Sequence, residues 1–173
     1  IILVEIKNMK KKVEIVLVFD IYFFITISSF FLFLFLLITE TYSDYSLLGT
    51  IFIIWLFDTF SYIGGKFIGG VKLMPKISSG KTVSGLFSGV IMTIIVTAII
   101  VNVFFRDVVD FSVVNVLLII VISFIGDTLV SILKRYVSIK DTGNIMPGHG
   151  GLLDRFDSFI AVFLIIGVIS LFL

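Results

Sequence analysis

Between residues 126 and 158 the chain reads GDTLVSILKRYVSIKDTGNIMPGHGGLLDRFDS, a stretch dense in acids, bases and glycines. On a helix, Asp127, Ser131 and Lys134 stand at i, i+4 and i+7 and share one face. A carboxylate set deep, a hydroxyl above it and a cation at the rim form a descending polar stripe. Pro147 and the glycines at 143, 148, 150 and 151 forbid a regular helix through the following segment. Gly150 and Gly151 let backbone N–H groups come close to a ligand, as phosphate-binding turns do. Asp154 and Asp157, at i and i+3, then lie on one face where the next apolar run begins. Two helices joined by this loop bring Asp127 and Asp154 to similar depth, an arrangement suited to a hard divalent cation such as Mg2+. Lys134, Arg135, Lys140 and Arg155 around them suit a polyanion, either a nucleoside triphosphate or a phospholipid headgroup.

Two acids, Asp58 and Asp127, interrupt otherwise apolar runs. A carboxylate at the centre of a membrane helix costs about 2.5–3.5 kcal/mol on insertion scales, so it faces a cavity, a cation or a metal. A structural ion pair or a proton relay would also account for either one. Other features have plainer readings. Gly80-Lys81-Thr82 looks like the end of a phosphate-binding P-loop, but Pro75 stands where that motif needs a glycine and no strand is expected before it. Gly85 and Gly89 form a GxxxG pair, which reads as close helix packing. The lysines at 10–12 read as a topology anchor.

The elements that must carry these residues follow from composition. The chain has 173 residues, 59% hydrophobic and 14% charged, with 20 Phe and a mean hydropathy of +1.24. Soluble domains have about 25% charged residues, so lipid is the expected solvent. Five apolar runs emerge, at about 16–38, 47–64, 82–105, 113–133 and 158–173, preceded by a basic segment over 1–15. Helix is the expectation for each, because lipid offers backbone groups no partner but themselves. A β-barrel would need shorter segments alternating polar and apolar residues. The expected fold is therefore an all-α polytopic membrane protein with a single embedded catalytic domain and two catalytic loops. Of 13 Lys and Arg, only Arg106 falls outside the N-terminal segment and those two loops. That division predicts that the N-terminus and both loops are cytoplasmic. Absence of cysteine excludes disulfides, thiolate metal sites and a cysteine nucleophile. The single His and the lack of HExxH exclude the common zinc-hydrolase signatures.

The stretch from Ser131 to Asp157 closely resembles the signature of the phosphatidate cytidylyltransferases, also called CDP-diacylglycerol synthases. That signature runs S-x-x-K-R, four residues, K-D, then P-x-H-G-G-x-x-D-R-x-D, and every fixed position is met with its spacing intact. Upstream, Asp58-Thr59-Phe60-Ser61-Tyr62 with Gly65-Lys66 and Gly69 resembles the family's D-T-x-A-Y-x-x-G-[KR]-x-x-G segment. Pro75-Lys76-Ile77-Ser78 and Lys81-Thr82 with Gly85 resemble its P-x-I-S-P-x-K-T-x-E-G segment. Ser79, Ser84 and Val130 depart from the family's Pro, Glu and Glu. The chain is also shorter than typical members, which reads as a compact or N-terminally truncated version that keeps the catalytic half.

The resemblance implies cytidylyl transfer from CTP to phosphatidic acid, giving CDP-diacylglycerol and pyrophosphate for phospholipid synthesis. It implies Asp127 and Asp154 as metal ligands for Mg2+, with room for a second cation, and Lys134, Arg135, Lys140 and Arg155 on the triphosphate. Ser78, Lys81 and Thr82 would take the lipid phosphate or the nucleotide, while Asp141 and His149 would fix the loop or contact CTP. Ser131, Gly150, Gly151 and Asp157 complete the expected substrate site. The expected partners are CTP, phosphatidic acid and the bilayer of a bacterial inner membrane, with no nucleic acid; a homodimer is compatible with the sequence. Two other readings stand beside this one. The nearer is a CTP-using kinase or cytidylyltransferase for a polyprenol or ether lipid. The further is a transporter with Asp58 and Asp127 as a proton relay.

Overall fold

The computed structural model describes residues 44–105, 112–136 and 157–170, together with isolated helical positions at 24, 28 and 31. Helix α1 spans Asp44–Phe67, α2 Val83–Phe104, α3 Val113–Tyr136 and α4 Asp157–Ser170. Between α1 and α2 lies a two-stranded antiparallel hairpin, β1 (Lys72–Met74) and β2 (Ser78–Thr82). Three of the helices, over Leu47–Phe67, Val83–Phe104 and Val113–Tyr136, are long and apolar enough to cross a membrane. They match the second, third and fourth expected spans to within three residues at either end. The run expected over 158–173 is helical over its described residues, within a 14-residue helix that begins at Asp157. The run expected over 16–38 lies outside the described residues, apart from the three isolated positions.

The hairpin corrects the sequence reading, which expected a plain loop and no strand before Gly80. Lys72 pairs with Thr82 and Met74 with Ser78, with an irregularity between the two pairs. Its turn closes through Ile77 N–H to the Met74 carbonyl at 3.1 Å. Proline and glycine at either side of the turn masked the pairing, since each depresses strand propensity. The strand also explains why no P-loop forms: Gly80 and Lys81 are locked in extended backbone instead of wrapping an anion.

Each helix end near the hairpin is closed locally. Gly69, at φ +67°, takes the left-handed conformation that terminates α1, with its N–H on the Gly65 carbonyl at 3.2 Å. Thr82 caps α2, its hydroxyl accepting from the Gly85 N–H at 3.0 Å. Ser84 donates to the Gly69 carbonyl. The residue that replaces a family Glu therefore ties the end of α1 to the start of α2.

α1 packs chiefly along α2, and α3 along α4. Where α1 meets α2 the contact is nearly backbone to backbone. Gly64 and Gly65 on α1 face Ser88 and Thr82, and Gly85 and Gly89 on α2 face Ser61 and Phe57. The GxxxG pair is thus a packing device, as its spacing predicts. Ile53, Phe57, Val116 and Ile120 form the central core, flanked by Leu86, Val90 and Ile94 of α2. Val130, the second departure from a family Glu, is buried with Ile160 and Leu164 in the seam between α3 and α4. Phe87, Ile91, Ile95 and Ile99 on α2, like Leu118, Val121, Ile125 and Leu129 on α3, stay exposed. Those faces are suited to lipid.

Candidate functional site

The polar residues gather at one end of the bundle, where α1 ends, α2 begins, α3 ends and α4 begins. Asp127 sits on the polar face of α3, and Ser131, one turn on, directs its hydroxyl to Asp127 Oδ1 at 3.5 Å. That is the i, i+4 relation expected from the stripe. The other carboxylate oxygen is taken by the hairpin: Lys81 Nζ lies 2.8 Å from Asp127 Oδ2. The same ammonium donates to Thr128 Oγ1 at 3.0 Å and stands 4.4 Å from the centre of the Phe124 ring. The side chains of Lys81 and Asp127 are 17% and 32% exposed, so solvent screens this pair less than a surface ion pair.

A second tie holds the hairpin over the end of α3. Arg135 Nε donates to the carbonyl of Ile77, in the turn between the strands, at 2.9 Å. Lys134 and Arg135 occupy the last turn of α3, where cations also favour the helix C-terminus. Lys134 is partly buried there.

Asp58 of α1 enters the same neighbourhood. Ser158, at the start of α4, donates to Asp58 Oδ2 at 3.2 Å, and the Asp58 carboxylate lies within electrostatic reach of both Asp127 and Lys81. The sequence marked Asp58 as costly in a membrane helix but gave it no partner. Its partner is a serine 100 residues later, a contact that no local spacing could indicate. Thr128 and Phe124 were likewise missed as neighbours of Lys81. The only signal for them was their closeness in sequence to Asp127.

Of the residues singled out from the sequence, the structure therefore brings together Lys81, Asp127 and Ser131. Thr82 serves as a helix cap, and Ser78 opens β2. Asp157 is the first residue of α4. Lys140, Asp141, His149, Gly150, Gly151, Asp154 and Arg155 lie outside the described residues, so the expected Asp127–Asp154 pair is half seen. Among the described residues no group of three or more His, Cys, Asp or Glu side chains gathers as a metal cage.

A membrane-embedded helical bundle with an acid–base cluster at one end is the class of protein this geometry defines. Residues 1–173 match the cytidylyltransferase family, and the chain belongs to it. It is 42% identical over 124 residues to a phosphatidate cytidylyltransferase of Staphylococcus haemolyticus, covering 68% of this chain and 45% of that protein. Proteins of the same name from Rickettsia conorii and Bacillus subtilis are each 40% identical to it. They match over 129 and 116 residues, covering 70% and 64% of this chain and 56% and 41% of their own lengths. The chain thus spans about half the length of the curated relatives it matches.

Proposed function

We propose that this chain forms the catalytic half of an enzyme that transfers a cytidylyl group from CTP to phosphatidic acid, yielding CDP-diacylglycerol and pyrophosphate. The observation that carries the reading is the junction of Lys81 with Asp127. It joins the upstream segment that resembles the family to the helix that leads into the Ser131–Asp157 signature, across a whole membrane helix. The names of the relatives supply the substrate class.

In this reaction a phosphate oxygen of the lipid attacks the α-phosphorus of CTP, and the bond to the β-phosphate breaks. The nucleophile is already ionised near neutral pH, so no strong general base is required. The demand on the protein is to neutralise and align two polyanions. Asp127 and Asp154 would hold Mg2+, which when bound supplies charge neutralisation and polarises phosphoryl oxygens. Lys134, Arg135, Lys140 and Arg155 would orient the triphosphate and receive the pyrophosphate. Ser78, Lys81 and Thr82 would take the lipid phosphate or the nucleotide, and Asp141 and His149 would steady the glycine-rich loop or contact CTP. The lipid tails would enter sideways between helices from the inner membrane of a bacterium, with the site on the cytoplasmic side and the protein acting as a monomer or a homodimer.

Purified protein in lipid discs, given radiolabelled CTP, phosphatidic acid and Mg2+, should form labelled CDP-lipid and an equal amount of pyrophosphate. Failure to form CDP-lipid from phosphatidic acid, with product appearing only from a polyprenol or ether lipid, would move the assignment to the nearer rival. Absence of any CTP turnover would remove it.

A further inference from the structure

Lys81 carries its ammonium on a flexible stem, yet the fold gives that ammonium a defined bed. The side chain is 17% exposed and leaves a backbone that is itself fixed, because Thr82 caps α2 and lies against Gly65 of α1. α3 receives the ammonium with two consecutive side chains. Asp127 Oδ2 lies 2.8 Å from Nζ, and Thr128 Oγ1 accepts from it at 3.0 Å. Consecutive helix residues diverge by about 100°, so the two acceptors grip the nitrogen from different sides. Thr128 donates its own proton to the Phe124 carbonyl, one turn back, at 2.7 Å. A hydroxyl has one proton, so what Thr128 turns toward Lys81 is a lone pair, an acceptor suited to an ammonium. The Phe124 ring closes the bed 4.4 Å from Nζ, within cation–π range. Thr128 and Phe124 both stand outside the three segments whose motifs resemble the family.

We propose that Thr128 is a positioning residue: its hydroxyl, oriented by the Phe124 carbonyl, sets the Lys81 ammonium in one place, where the lysine meets a substrate phosphate. The proposal rests on the reading of Lys81 as a phosphate-binding residue given above, with Thr128 acting only through that lysine. An ammonium has three N–H donors, so two acceptors on α3 fix its place without exhausting it. Held by Asp127 alone, the ammonium could pivot about a single contact. The second, neutral acceptor removes that freedom. A group already in place loses less freedom when its ligand arrives, so the gain falls on substrate affinity.

Acylation of the Lys81 amine in lipid discs, quantified by mass spectrometry without CTP or phosphatidic acid, reads the bed directly. Thr128→Val keeps the branched shape and removes the acceptor. It should speed acylation about tenfold or more, the scale of one hydrogen bond to a charged group. Thr128→Ser, which retains the hydroxyl, should stay near the wild type, and Thr128→Ala reads the same loss should the valine variant not fold. An unchanged rate without the hydroxyl overturns the proposal. In turnover, Thr128→Val should raise KM several-fold for the one substrate whose phosphate Lys81 holds, with kcat and the other KM nearly unchanged, and Thr128→Ser should restore it. A loss shared by both substrates, or one in kcat that follows the amount of folded protein, marks a structural role and overturns the proposal equally. The wild type separates the two levels. CDP-lipid formation with no effect of Thr128→Val on KM removes only the positioning role. Absence of CDP-lipid from the wild type removes the functional reading itself, while acylation still decides whether Thr128 holds the lysine.

Discussion

Gly85 of α2 sits so close to Ser61 of α1 that an added Cβ would stand 2.6 Å from the Ser61 carbonyl oxygen. Backbone cannot give way as a flexible side chain would, so the two helices must part. Gly85→Ala should therefore destabilise the bundle by about 1–3 kcal/mol, the usual range for overpacking a filled interface. The readout is thermal unfolding in detergent, with the hairpin loosening because Thr82 caps the same turn. Retention of full thermal stability would show that α1 and α2 do not pack this closely.

Arg135 reaches Ile77 across the mouth of the site, so its loss should act on the hairpin as well as on the nucleotide. Arg135→Ala should speed deuterium exchange across residues 72–82 and raise the KM for CTP before that for phosphatidic acid. A rise confined to the lipid KM would assign the residue to the other substrate.

Asp127→Asn and Asp154→Asn should each abolish nearly all activity while the protein remains inserted in the membrane. Residues that act as one unit are strongly non-additive, so the double substitution should be scarcely worse than either single one. Multiplying losses in a steady-state assay would show two separate jobs. If Asp127 served structure alone, activity would fall only in proportion to folded protein.

The native chain has no cysteine, so single cysteines report topology cleanly. Lys72→Cys and Ser138→Cys should react with an impermeant thiol reagent in inside-out vesicles and stay unlabelled in right-side-out ones. Labelling of either from the outside would reverse the orientation and move the site to the opposite face.

Much of this architecture was legible in the chain because lipid imposes long apolar runs, and the limits of α1, α2 and α3 could be read from the charges that bound them. The polar face of α3 was legible for a similar reason, since Ser131 and Asp127 are related by helix periodicity alone. What escaped was which distant polar segments meet at the site. The hairpin was hidden by Pro75 and Gly80, whose local preferences argue against strand until pairing over Lys72 and Thr82 overrides them. The pairing of Lys81 with Asp127 was one such meeting, since nothing in the sequence neighbourhood of Lys81 points to an acid two helices away. Asp58 found its partner only once α4 was in place. Ser84 and Val130, read as losses of carboxylate, carry a helix tie and a buried seam, roles that a motif comparison cannot express.

The order in which the chain leaves the ribosome gives the Lys81–Asp127 contact a meaning for biogenesis. α1, the hairpin and α2 are synthesised first, so the ammonium of Lys81 is in place before α3 exists. When α3 follows, its partly buried acid meets a cation made before it, and such pairing lowers the cost of a carboxylate in a membrane helix. α4 arrives last and brings Ser158 to Asp58, the second embedded acid. Each awkward charge is thus matched by a group made at a different time.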